Sequence, residues 1–215
     1  MMLTLLLAIC TLDVKMPAGP VRPEHQVHTV VLHHTAIPAM GDSLRTLRLR
    51  GMSYHYLIDE VGKVILAVPF TRTAFHAAGA NRTAIGIAFA GGATREWAPT
   101  EKQRSAAKEL IAKLVEQHPN LQYLIGHGDI RDTNAGEPYG LDMAPFAAET
   151  GLHYLGRDEH PLVDYRHAAM ELVVSPRTPR RPKKSQRWPE TEDVTCPTEP
   201  AHIRYKVTTI GTGTP

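Results

Sequence analysis

The chain has 215 residues, enough for one core of ordinary size and a tail but tight for two full domains. Its net charge of +2 says little about partners, because 24 basic and 22 acidic residues nearly cancel. Only two cysteines are present, Cys10 and Cys196, which excludes a disulfide framework and a cysteine zinc cluster. No apolar stretch is long enough to span a bilayer.

In chain order, Met1 to Leu12 contains the apolar run Leu3 to Ile9. It resembles a signal-peptide core but lacks a preceding basic residue, and Ile9 stands where a lipoprotein site needs a small side chain before Cys10. The segment reads either as an export signal, which would place the protein in the periplasm or outside the cell, or as a first strand packing on the domain. Residues 13–26 are proline-bearing and irregular. His28 to His34 reads as a strand, and Leu44 to Arg50 as a short helix capped by Asp42 or Ser43. Tyr54 to Ile58 and Lys63 to Val68 alternate around Asp59-Glu60-Val61-Gly62, a hairpin with Gly62 at positive φ. Ala84 to Phe89 is a buried strand. Thr100 and Gln103 form a capping box for an amphipathic helix that ends at Pro119. Leu121 to Ile125 is another strand, followed by a polar loop from Gly128 to Leu141.

Beyond residue 175 the composition changes. Ser175 to Arg187 carries three prolines and six basic residues, and cannot bury enough apolar area to fold. The expected organisation is therefore a lead-in over 1–25, a folded domain over 26–174, and a basic, proline-rich linker and tail over 175–215. His202 to Ile210 is a strand candidate that could dock back. The fold class expected is α/β, a single mixed β-sheet flanked by helices. Both cysteines fall in segments expected to lie outside the core.

The chemistry lies in histidines at the ends of apolar runs: His33-His34 after Val30 to Leu32, and His127 after Leu124 to Gly126. A strand end lies at the rim of a sheet. Two such ends brought together supply two nitrogen ligands for zinc, and a carboxylate completes a catalytic site. Adjacent strand residues point to opposite faces, so only one of His33 and His34 can reach a given metal.

The segments Val31-Leu-His-His-Thr-Ala36, Ser53-Tyr-His-Tyr-Leu-Ile-Asp59, Phe75-His-Ala-Ala-Gly79, Asn81 with Ala84-Ile-Gly-Ile87, and Gly126-His127-x-Asp129 occur in an order that resembles the type 2 N-acetylmuramoyl-L-alanine amidases. That family includes T7-type lysozyme amidases and peptidoglycan recognition proteins, and the resemblance covers roughly residues 26–150. It implies a zinc-dependent enzyme that cuts the amide between muramic acid and L-alanine in peptidoglycan. It carries the first two zinc ligands over to His33 and His127. The family's third ligand is an aspartate or cysteine about ten residues after the Gly-His motif. Asp142, in Asp142-Met-Ala-Pro-Phe146, is the expected third ligand; Asp129, Asp132 and Glu137 stay open, and a helix cap is the other role for Asp142.

The resemblance further implies that Tyr54 assists catalysis and that His76, Asn81 and Arg131 bind substrate. Two family features are missing. A glutamate is replaced by Ala88, and the lysine two residues before the third ligand is Gly140 when Asp142 is that ligand. Arg131 or His76 could serve as the oxyanion donor instead. The rival expectation is a peptidoglycan-binding module without catalysis. A monomer is expected, with the basic tail attaching to an anionic surface; no nucleic-acid motif is present. Without export, the protein would act in the cytoplasm or be delivered by a phage.

Overall fold

Continuous Val/Ile/Leu runs without polar alternation belong to strands buried on both faces, which need helices above and below them. The computed structural model, which describes residues 8–12, 15–130, 135–156 and 205–209, has this arrangement. The strands are β1 (Ala8–Leu12), β2 (Thr29–His34), β3 (Tyr56–Ile58), β4 (Val64–Leu66), β5 (Ala84–Phe89), β6 (Tyr123–Gly126), β7 (His153–Tyr154) and β8 (Tyr205–Thr209). They form one sheet in the order β7-β6-β2-β5-β3-β4-β1-β8. Pairing is parallel except for the β3–β4 hairpin and the β1–β8 edge pair, so the sheet is mixed as expected.

The helices are α1 (Met40–Leu49), α2 (Glu101–Gln117), α3 (His127–Ile130) and α4 (Met143–Thr150). The α2 helix begins at the expected capping box: the Thr100 side chain accepts from the Gln103 backbone, and Gln103 accepts from the Thr100 N–H. Its Leu110, Ile111 and Leu114 pack with Val30, Leu32, Ile85 and Ile87 on one face of the sheet. Leu44 and Leu47 of α1 pack with Leu57, Ala88 and Tyr54 on the other. Each such fully buried aliphatic side chain contributes about 1.5–3 kcal/mol relative to exposure.

Two expectations are corrected. The first helix starts at Met40, earlier than expected, and the Ser43 hydroxyl is not its cap but donates to Thr35 and to the Ile37 carbonyl. Cys10 is buried in the core, because β1 slots beside β4 as a sheet strand. The strand expected near the C-terminus is present as β8, antiparallel to β1, docked back on the sheet. Cys196 and the basic stretch from Ser175 lie outside the described residues.

Candidate metal centre

Strand register builds the site. On adjacent parallel strands β2 and β6, Leu32 is paired with Gly126. One residue further along each chain stand His33 and His127, at the carboxyl ends of the strands, where open α/β sheets place their ligands. The two imidazole centroids are 4.5 Å apart. His33 is fully buried, whereas the His127 side chain is 11% exposed and faces the opening.

Glu137 closes the group. Its Oε1 lies 3.3 Å from His33 Nδ1 and its Oε2 lies 3.0 Å from His127 Nδ1. The loop that carries it is anchored where the Gly128 N–H donates to the Glu137 carbonyl, 2.9 Å. Among the described residues, His33, His127 and Glu137 form the group able to hold a metal ion, their ligand atoms within 4.8 Å of one another.

The donor set fits zinc on two observations. Ligands held at zinc bond lengths around a tetrahedron stand roughly 3.4 Å apart, close to the separations found here. His33 Nδ1 is also a buried nitrogen with no hydrogen-bond partner, its approach to Glu137 being close but not aligned. Leaving such a group unpaired costs about 1–3 kcal/mol, which a cation between the nitrogen and the carboxylate would offset. The electrostatics suit a ligand set. Burial, then the neighbouring His127, pushes His33 down to about 4, so it is neutral at pH 7. Burial alone would raise the Glu137 carboxyl, but the two histidines outweigh it and hold Glu137 well below the usual carboxylate range.

The expected third ligand, Asp142, is not brought to the histidines. It occupies the N-cap position of α4, without a side-chain cap hydrogen bond. Asp129 is engaged elsewhere: its Oδ2 accepts from the Gly126 N–H at 2.8 Å and from the Tyr154 hydroxyl at 3.1 Å. Asp132 and the expected substrate residue Arg131 lie outside the described residues. The useful signal for Glu137 was spacing, since it stands ten residues after His127. Gly140 sits at φ 62°, and a Cβ there would lie 2.4 Å from that of Ala98, so this position presents no side chain to the site. With Glu137 as third member of the group, the position two residues earlier is Ala135, which is exposed and likewise offers no oxyanion donor.

Tyr54 is placed against the cluster, its ring 4.8 Å from that of His33, and burial followed by the charge of Glu137 keeps its phenol protonated far above neutral pH. Ala88 is in register with His33 on the neighbouring strand and faces the same way, so a buried methyl group stands beside His33. His76 and Asn81, expected to line the groove, are both buried beneath it. His34 points to the opposite face and packs on Tyr139 and Trp97, with ring centroids 4.6 and 5.9 Å away. Beside Glu137 a cleft of about 240 Å³ opens between Asp129, Leu141, Asp142 and Tyr154.

The family profile described as N-acetylmuramoyl-L-alanine amidase matches residues 23–139, more than half of the chain, and the chain belongs to that family. The match includes Glu137 and stops short of Asp142. No curated protein matches by sequence. Among solved structures, the chain is similar to the N-acetylmuramoyl-L-alanine amidase LysC from Clostridium intestinale URNW, with 24% identity, 67% of this chain and 97% of that chain covered, and a TM-score of 0.58. It is similar to Drosophila peptidoglycan recognition protein SD at 26% identity, covering 65% of this chain and 92% of that one, with a TM-score of 0.51. Drosophila peptidoglycan recognition protein SA shares the fold at 22% identity, over 67% of this chain and 88% of that one, with a TM-score of 0.52. Amidases and recognition proteins thus share this architecture.

Proposed function

We propose that this protein is a zinc-dependent N-acetylmuramoyl-L-alanine amidase that hydrolyses the amide between N-acetylmuramic acid and L-alanine in peptidoglycan. The observation that carries the proposal is the His33–His127–Glu137 group, an all-protein donor triad with a buried nitrogen awaiting a partner. Three protein donors leave a fourth position open, as catalytic zinc sites require. Zinc held there would polarise an amide carbonyl and bring the pKa of a water to about 7.

The chain's own residues do the rest. Burial keeps His33 a neutral donor, His127 supplies the second nitrogen, and Glu137 supplies the negative charge that balances the cation. Tyr54, protonated and beside His33, donates a hydrogen bond to the carbonyl oxygen as charge develops on it. Substrate approaches from the side of His127 and Glu137, where the cluster is partly exposed.

A second reading, a recognition module that binds peptidoglycan without cutting it, is favoured by Ala88, a methyl group beside His33 at the position where the resemblance gives many, though not the T7-type, members a glutamate. Digestion of purified peptidoglycan, untreated, chelated, and restored with zinc, separates the two. Release of peptides with a free N-terminal L-alanine that stops with chelator and returns with zinc is the expected result. Binding of peptidoglycan without release, by chain shown to hold zinc, would overturn the amidase reading in favour of recognition.

A further inference from the structure

Beneath the cluster lies a third histidine, His76, that the chemistry above does not use. Nε2 of His33 is 3.0 Å from Nδ1 of His76, and both rings are buried. The rings meet edge to face, with centroids 5.1 Å apart and an interplanar angle of 90°. His76 is held through its backbone and through the packing of its ring. Asn81 Oδ1 accepts from the backbone N–H of His76 at 2.9 Å and of Ala77 at 2.7 Å. The ring lies over Gly86, where a Cβ would stand 2.6 Å from the ring's Cγ. Gly86 is itself fixed, its N–H donating to His55 Nδ1 at 3.0 Å.

We propose that His76, clamped by Asn81 and seated on Gly86, is a positioning residue that accepts a hydrogen bond from His33 Nε2 and so commits His33 Nδ1 to the metal. The inference rests on the zinc-site reading. A neutral imidazole carries one N–H, and the free nitrogen is the one that ligates. With His76 accepting at Nε2, the lone pair of His33 is on Nδ1, the atom that faces Glu137. Partners of this kind orient a ligating histidine and typically change metal affinity 10–100-fold when lost. At 3% exposure, His76 acts through His33 and does not touch substrate.

The test compares the full chain with His76→Asn and His76→Leu. These side chains branch alike, but only Asn offers an acceptor near the place of Nδ1. Zinc affinity is read by competition with a chromophoric chelator, and site symmetry by the visible spectrum of the cobalt-loaded chain. His76→Leu should bind about 10–100-fold more weakly with an altered cobalt spectrum, and His76→Asn should recover most of both. An unaltered chain that binds no zinc would remove the site reading and this role with it. A folded His76→Leu chain with wild-type affinity and spectrum would remove this role alone. Where His76→Leu does not fold, nitrogen NMR of the unaltered, zinc-loaded chain decides: metal at His33 Nδ1 with a proton on Nε2 is expected, and metal at Nε2 would overturn the proposal.

Discussion

The His33–His127–Glu137 group has two walls of different origin. One is the sheet: His33, fixed by strand pairing on β2, with Tyr54 and His76 from the segments before β3 and β5 packed against it, all buried. The other is the segment after β6, where His127 opens α3 and Glu137 returns from a loop to meet both histidines. Hydrogen-bond register places the sheet wall to within one residue. The loop wall depends on how a chain of ten residues closes, and its geometry follows from no periodicity.

The two walls should respond differently to change. The largest effect is expected for His33→Ala, which removes a ligand and leaves Glu137 with an unmatched, partly buried charge. Zinc affinity should fall at least about 10³-fold and hydrolysis with it, since apparent binding energies at such sites reach about 10 kcal/mol or more. Isothermal titration would read this, and near-normal zinc binding would remove His33 from the ligand set.

Tyr54→Phe should separate chemistry from metal binding. The ring remains packed on His33, so zinc affinity should stay within a few-fold, while kcat drops about 10²-fold through loss of one oxyanion donor. Unchanged kcat on soluble muropeptide would confine Tyr54 to packing.

The smaller effect is the pH dependence of stability, which belongs to the sheet wall. His33, His55 and His76 have folded pKa values depressed chiefly by burial, with His33 at about 4. The unfolded chain therefore binds protons that the folded chain excludes. Stability is fully present above the unfolded histidine value of about 6.5 and is lost as pH falls toward about 4. The melting temperature of metal-free protein should fall by several degrees from pH 7 to pH 5. A flat profile across that interval would mean that these histidines are not buried as neutral groups.

How much of this was legible in the sequence follows the same division. Ala84 to Phe89, the Thr100 capping box and the Gly62 hairpin were readable because each rests on local chemistry, and the structure contains all three. His33 and His127 were readable as a pair because both follow apolar runs that become neighbouring strands. Asp142 was favoured for a local resemblance in Asp142-Met-Ala-Pro-Phe146, which in the fold is the start of α4. The ten-residue spacing after His127 points instead to Glu137, the carboxylate that the fold brings to both histidines. His76 and Asn81 read as groove residues only through the family resemblance. Their burial depends on the packing of the segment before β5 against Gly86, which sequence alone does not display.

The most direct test of the account is zinc affinity of Glu137→Ala and Asp142→Ala measured side by side, with melting curves to establish that both are folded. The account predicts that Glu137→Ala loses about 10²-fold or more in affinity, as expected for removing a charged ligand, while Asp142→Ala stays within a few-fold of the unaltered chain. Tight zinc binding by Glu137→Ala together with loss in Asp142→Ala would contradict it and return the third ligand to the start of α4.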